Sequence, residues 1–377
     1  MADNDNLGSG DGTIFSVTMA RPTDFFAPTY REARERLLEA AQSISALVTS
    51  HRHPGPSPDG GPLFADVLRV GPQDARQILV IISGTHGVEG FAGSAMQIAA
   101  LHSLRTQPLP GDTALILIHA LNPHGFAWCR RVDAQNIDVN RNLMDHDAGA
   151  PDNPDYELLH GVLCPQEWSE ATRTAGARTL ADFQARHGRS CLENALAQGQ
   201  RSHDDGLFYR GSGPSWSIQL LRSTLAGSVM HAERIVLLDV HTGLGSYGGC
   251  ELICGIEEGD ARAAAVRRWL GEGTLFFGAT SGYQRMTGAI DSGIEALLEG
   301  IEVTPVTVEF GTLPTLDVLQ ALRADNWLHR QRTHPDLNDP IKQDMRRAFN
   351  PQDDDWRELV LLRGRQVIAR AIQGLQR

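Results

Sequence analysis

The chain has 377 residues, 41% hydrophobic and 21% charged, which allows a sizeable core and argues against disorder as the default state. Its 46 acidic against 34 basic residues, a net charge of −12, speak against nucleic acid or an anionic membrane as partner. No run approaches the roughly 18 apolar residues of a membrane span, and the opening "MADNDNLGSGDGTIF" lacks the basic and apolar regions of a signal peptide, so a cytoplasmic location is expected.

Residues 1–20 read as a flexible tail ahead of one domain over 21–377. "TYREARERLLEAAQSISALV" (29–48) has helical periodicity, and "HPGPSPDGGP" (53–62) is a turn-forming break. Four short apolar runs follow, "ILVIIS" (78–83), "ALILIHAL" (114–121), "RIVLLDV" (234–240) and "VTPVTVEF" (303–310), and their lack of alternation suits strands buried on both faces. Helix-like segments such as "GSAMQIAALHSLR" (93–105), "ARAAAVRRWL" (261–270) and the C-terminal "WRELVLLRGRQVIARAIQGL" lie among them. This βαβ rhythm predicts a single α/β domain with a mixed, mainly parallel central sheet flanked by helices. The polar stretch 143–215, with short helical pieces, reads as an insertion or lid. Five scattered cysteines make no disulfide framework; Cys250 and Cys254 lie four apart, but no second pair completes a metal site, and buried thiols are the expectation.

Ligands of open α/β sheets bind beyond the carboxyl ends of strands, and all four apolar runs have polar residues there. After the first come His86 and Glu89, three apart and so on one side of a turn, among Gly84, Gly87 and Gly90. After the third comes His241 in "LLDVHTGLG". H-x-x-E alone arises by chance; together with His241 it makes the two-imidazole, one-carboxylate set of a catalytic zinc with an open fourth position. The second run leads into "NPHGFAWCRRVDAQNIDVNRN" (122–142), where Arg130, Arg131, Asn140 and Arg141 offer a guanidinium fork and an amide to a substrate carboxylate. Glu309 interrupts the fourth run, where a carboxylate is costly unless partnered; beside metal it would serve as general base.

His86-x-x-Glu89, "NPHGF", "DVNRN", "DVHTG" and "VEFGT" occur in the order found in zinc carboxypeptidases, and the chain resembles the carboxypeptidase A superfamily over about residues 78–315. "SGTHGVEGFAG" and "DVHTGLG" are most similar to a bacterial branch that carries a domain-of-unknown-function label. The resemblance implies one zinc per chain held by His86, Glu89 and His241, Glu309 as general base, Arg131 polarising the scissile carbonyl, and Asn140 with Arg141 holding the substrate carboxylate. Arg130 is an alternative to Arg131, because the spacing to "NRN" is shorter in this chain than in the digestive enzymes. "YQRMTGAID" (283–291) matches the segment bearing a mobile substrate-facing tyrosine and the specificity-pocket floor, which implies Tyr283 and Ile290 and an apolar released residue.

The function expected is a metallocarboxypeptidase acting on a peptide or small peptide-like substrate with a free carboxylate. The glycine of "HGVEG" is shared with amino-acid deacylases such as aspartoacylase and succinylglutamate desuccinylase, so an N-acyl amino acid is the alternative substrate. A noncatalytic metal- and ligand-binding protein of the same fold is the third reading; it has no need of Glu309.

Overall fold

A computed structural model of the chain describes residues 24–148, 152–278, 284–331 and 335–377; the expected tail over 1–20 and Tyr283 lie outside the described residues. Eight strands form one sheet: β1 (Leu47–Pro56), β2 (Pro62–Val70), β3 (Gln77–Ile82), β4 (Thr113–His119), β5 (Arg234–Thr242), β6 (Cys250–Glu257), β7 (Leu275–Phe277) and β8 (Glu302–Phe310). Their order is β1-β2-β4-β3-β5-β8-β6-β7. The four central strands β4, β3, β5 and β8 pair in parallel, β2 and β6 join them antiparallel, and β1 and β7 form the edges. The helices are α1 (Tyr30–Ser43), α2 (Gly90–Leu104), α3 (Pro123–Ala127), α4 (Pro154–Leu163), α5 (Glu170–His187), α6 (Arg189–Ala197), α7 (Trp216–Ser228), α8 (Ala263–Leu270), α9 (Ile290–Leu297), α10 (Thr315–Gln331), α11 (Pro340–Phe349) and α12 (Asp354–Leu375). The expected single α/β domain with a mixed, mainly parallel sheet between helices is the fold observed. No helix among the described residues is long and apolar enough to cross a membrane.

The central strands are apolar throughout because each buries two faces. Leu79 and Ile81 of β3, with Leu115, Leu117, Val236 and Leu238, pack beneath α1, α2, α8 and α12. Their alternates Ile78, Val80, Ile82, Ile116, Ile118, Ile235 and Leu237 pack against α7 and α9. A third cluster gathers residues that follow the strand ends, Val88, Phe91 and Phe126, with Tyr156 of α4, Leu180 and Phe183 of α5, Leu322 of α10 and Phe349 of α11. The 143–215 stretch, which holds α4, α5 and α6, thus adds side chains to this cluster.

One local reading changes. The 53–62 segment is not a break before the sheet but the turn region of the β1–β2 hairpin, so the helix that begins near 29 ends at Ser43 and the chain enters the sheet at Leu47. "CELICGIE" is β6, and its Cys254 is the buried thiol expected, with burial pushing its pKa up to about 12, while Cys250 is half-buried.

The C-terminal helix α12 braces the end of β8. Trp356 is fully buried, tilted against Phe26, and its indole N–H donates to the Gly311 carbonyl at 2.9 Å, two residues beyond Glu309. Trp356→Ala should lower unfolding stability by about 3–5 kcal/mol in urea titrations, and Trp356→Phe by less; a loss under about 1 kcal/mol for the alanine would show that the site folds up around the gap.

Candidate metal centre

Gly84 has φ +67°, a conformation open to glycine, and turns the chain out of β3. His86 then opens a 3₁₀ turn over Gly87–Glu89. A Cβ on Gly87 would lie 2.0 Å from the backbone carbon of Gly125, so only glycine allows the two segments to meet. The contact is fastened by the Gly87 and Val88 amides, which donate to the carbonyls of Arg131 (3.1 Å) and Arg130 (2.8 Å). His241 arrives from β5, and its parallel register partner on β8 is Glu309, so both side chains leave neighbouring strands on the same face.

His86, Glu89 and His241 are all buried, and one ligand atom of each lies within 4.8 Å of the others. The His86 Nε2–H faces Asp138 Oδ1 at 3.0 Å, and the His241 Nε2–H faces Asp239 Oδ2 at 2.8 Å. A carboxylate accepts at each Nε2, which assigns the proton there and leaves both Nδ1 lone pairs directed inward. These two nitrogens stand 3.2 Å apart, each 3.0 Å from an oxygen of Glu89. Four acceptor atoms at such distances repel unless a cation or proton lies among them.

The charges say the same. Burial alone would raise Glu89, yet the adjoining His86 and His241 imidazoles hold its carboxyl well below the usual carboxylate range. Burial disfavours a charged His241, but Asp239 and Glu89 raise its pKa well above the ordinary imidazole value. Asp138 is likewise buried and held low by Arg131, His86 and Arg141. Glu309 goes the other way: burial, then the charge of Glu89, push its carboxyl up to about 8, and its one oxygen accepts the Leu244 N–H at 2.9 Å. Four buried carboxylates, Glu89, Asp138, Asp239 and Glu309, thus surround two imidazoles and the Arg131 guanidinium, a net negative site whose donor set fits Zn²⁺.

A family model described as "Protein of unknown function (DUF2817)" matches residues 26–363. The chain belongs to the DUF2817 family. No curated protein matches the sequence. Among solved structures, this DUF2817 chain is similar to carboxypeptidase A from Helicoverpa armigera, with TM-score 0.51 and 14% identity over 92% of this chain and 73% of that one. That likeness shows a carboxypeptidase-like fold. Bovine thrombin-activatable fibrinolysis inhibitor in complex with tick carboxypeptidase inhibitor also matches, with TM-score 0.47 and 12% identity over 93% of this chain and 97% of that one. A metallo-carboxypeptidase from Pseudomonas aeruginosa matches with TM-score 0.42, 15% identity, 90% of this chain and 71% of that one.

The adjacent arginines part company in the DUF2817 chain. Arg131 turns toward the cluster, donating from Nε to Asp138 Oδ2 at 3.1 Å and from Nη1 to Glu89 Oε1 at 3.4 Å, with its guanidinium 5.7 Å from the Phe208 ring. Arg130 turns away, to Asp325 of α10 and Asn136. Asn140 accepts the Ile290 N–H at 2.8 Å, and Ile290 itself is fully buried at the start of α9. Arg141 donates from Nε to the Ala197 carbonyl and from Nη1 to the Asn140 carbonyl; burial lowers its pKa.

Asp138 and Asp239 were not singled out in the sequence, although a signal existed: each precedes a proposed site residue by two positions, and on a strand that spacing places Asp239 on the His241 face. Thr85 donates to the other oxygen region of Asp239 at 2.6 Å, and the Thr242 N–H to Glu89 at 3.1 Å, contacts without a local sequence mark. Asp138→Asn or Asp239→Asn should each weaken zinc binding by about 10–100-fold while the chain stays folded, measured by chelator competition; an unchanged constant in both would remove these carboxylates from the metal's support.

Proposed function

We propose that the chain is a zinc-dependent hydrolase, metallocarboxypeptidase-like, that cleaves an amide bond next to a free carboxylate in a peptide or small peptide-like substrate. The observation that supports it most is Glu309, a buried carboxylate beside the three-ligand cluster that bonds to none of its members. A protein that only held a metal and an anion gains nothing from a fourth acid there, with its proton affinity raised by burial and by Glu89.

His86, Glu89 and His241 would hold the metal. Bound zinc supplies Lewis-acid polarisation of the scissile carbonyl and brings the pKa of a water down to about 7. Glu309 takes a proton from the attacking water and passes it to the leaving nitrogen. Arg131, kept in line by Asp138, faces the developing oxyanion, where one well-placed donor is typically worth about 3–4 kcal/mol. With its side-chain oxygen held by the Ile290 amide, Asn140 would offer its Nδ2 donor, alongside the Arg141 guanidinium, to the substrate carboxylate.

Between peptidase and deacylase, the glycine of "HGVEG" loses its weight: the backbone of Gly125 requires Gly87, whatever the substrate. Peptides are therefore favoured over N-acyl amino acids.

Glu309→Gln should keep zinc while turnover of a good substrate falls by roughly 100-fold or more, the usual worth of a positioned base; activity within a few fold of the parent would take Glu309 out of the reaction. For a peptide with an apolar last residue, amidation of the C-terminus should lower kcat/KM by about 10–100-fold, since a charge-assisted contact is lost. Equal rates on acid and amide would refute the role given to Arg141, and faster cleavage of the matching N-acetyl amino acid would favour deacylation.

A further inference from the structure

Behind the metal cluster lies a second group of buried charges that the reaction as described does not use. Lys342 of α11, 1% exposed, donates from Nζ to Asp325 Oδ1 at 2.5 Å and to the Cys129 carbonyl at 3.0 Å, and adjoins His329 Nε2 at 3.2 Å. The other oxygen of Asp325 accepts from Arg130 Nε at 3.4 Å, and Arg130 Nη2 reaches Asn136 at 3.1 Å. Burial pushes His329 down to about 2, so this imidazole stays neutral and the charged members are Asp325, Lys342 and Arg130.

We infer that Arg130, Asp325 and Lys342 form a positioning device: anchored on α10 and α11, they fix the Cys129–Arg131 segment, and through it the turn that carries His86 and Glu89. The path is continuous. Lys342 holds the carbonyl of Cys129, a residue at φ +48°, and Asp325 holds the side chain of Arg130. The carbonyls of Arg130 and Arg131 accept the amides of Val88 and Gly87, inside the turn between the two ligands. Arg131 sits one residue on, with its guanidinium on Asp138 and Glu89. Stability alone is a weak reason for such a group, because buried ion clusters can often be replaced by apolar side chains at no cost. What apolar packing does not supply is direction: a guanidinium fixed at Nε and Nη2 and an ammonium fixed on a carbonyl set the orientation of the peptide planes that meet Gly87 and Val88. Arg130 is then a positioning residue whose guanidinium acts away from substrate. The functional consequence rests on the zinc-hydrolase reading; the mechanical link does not.

The test uses the full chain, metal-free and zinc-loaded. Arg130→Met cuts the link while leaving the Asp325–Lys342 pair closed, and the double variant Asp325→Asn with Lys342→Met removes one charge of each sign, so one of them serves if the other fails to fold. Hydrogen exchange should show protection of the Gly87 and Val88 amides reduced about tenfold or more, with the β3 and β5 amides unchanged. Zinc affinity by chelator competition should fall about 10–100-fold, and Arg130→Lys should recover part of both. Folded variants with unchanged protection at Gly87 and Val88, or with protection lost evenly across β3 and β5, would overturn the inference. If the parent binds no zinc while the exchange pattern appears as described, the zinc-hydrolase reading falls and the positioning link stands.

Discussion

Two imidazole nitrogens held 3.2 Å apart, each 3.0 Å from a Glu89 oxygen, are the constraint around which the rest of the structure is arranged. Lone pairs do not gather in this way unless a positive charge joins them, and the protein supports the gathering at every point. Asp138 and Asp239 take the outward ring protons, the Thr242 amide steadies Glu89, and Arg131 spans Glu89 and Asp138. Each imidazole has one such restraint and Glu89 has two, so the orientation of every ligand is set in part by groups outside the cluster.

The parallel centre of the sheet makes the gathering possible. Because β3, β5 and β8 run the same way, their carboxyl ends open on one side, and His241 and Glu309 fall in register there. Antiparallel pairing would send alternate ends to opposite sides. The ligands differ in how they use this. His241 is in the strand, where neighbours fix it, while His86 and Glu89 stand on a turn beyond β3 that needs outside fastening. That fastening is Gly125 pressed on Gly87 and the two carbonyls of Arg130 and Arg131.

The 143–215 segment also reaches this side of the molecule. The Ala197 carbonyl at the end of α6 accepts from Arg141, the Tyr209 carbonyl accepts the Asp138 amide at 2.8 Å, and Phe208, at φ +57°, lays its ring beside Arg131. A non-glycine residue in the left-handed region costs roughly 1 kcal/mol or more, which the surrounding contacts must offset. Helix α11 contributes from the opposite side, where the Phe349 and Ala348 carbonyls accept the hydroxyls of Thr242 and Thr312, next to the ends of β5 and β8.

By itself the sequence determined the central strands, because burial on both faces demands unbroken apolar runs, and it marked His86, Glu89, His241 and Glu309, because a polar residue at the end of such a run is conspicuous. It did not show β1, whose "LVTSHRHPGP" is largely exposed and polar, or β6, whose mixed "CELICGIE" gives no clear period. Tertiary structure alone decided which of Arg130 and Arg131 faces the cluster: adjacent residues of one type carry no local mark of direction, and the choice is made by Asp138 on one side and by Asp325, 195 positions away, on the other. Lys342 reaches Cys129 across 213 positions, and no pattern in either segment announces the contact. Periodicity and spacing report what a segment buries and which residues share a face; partners so distant in the chain are chosen only when the helices close over the sheet.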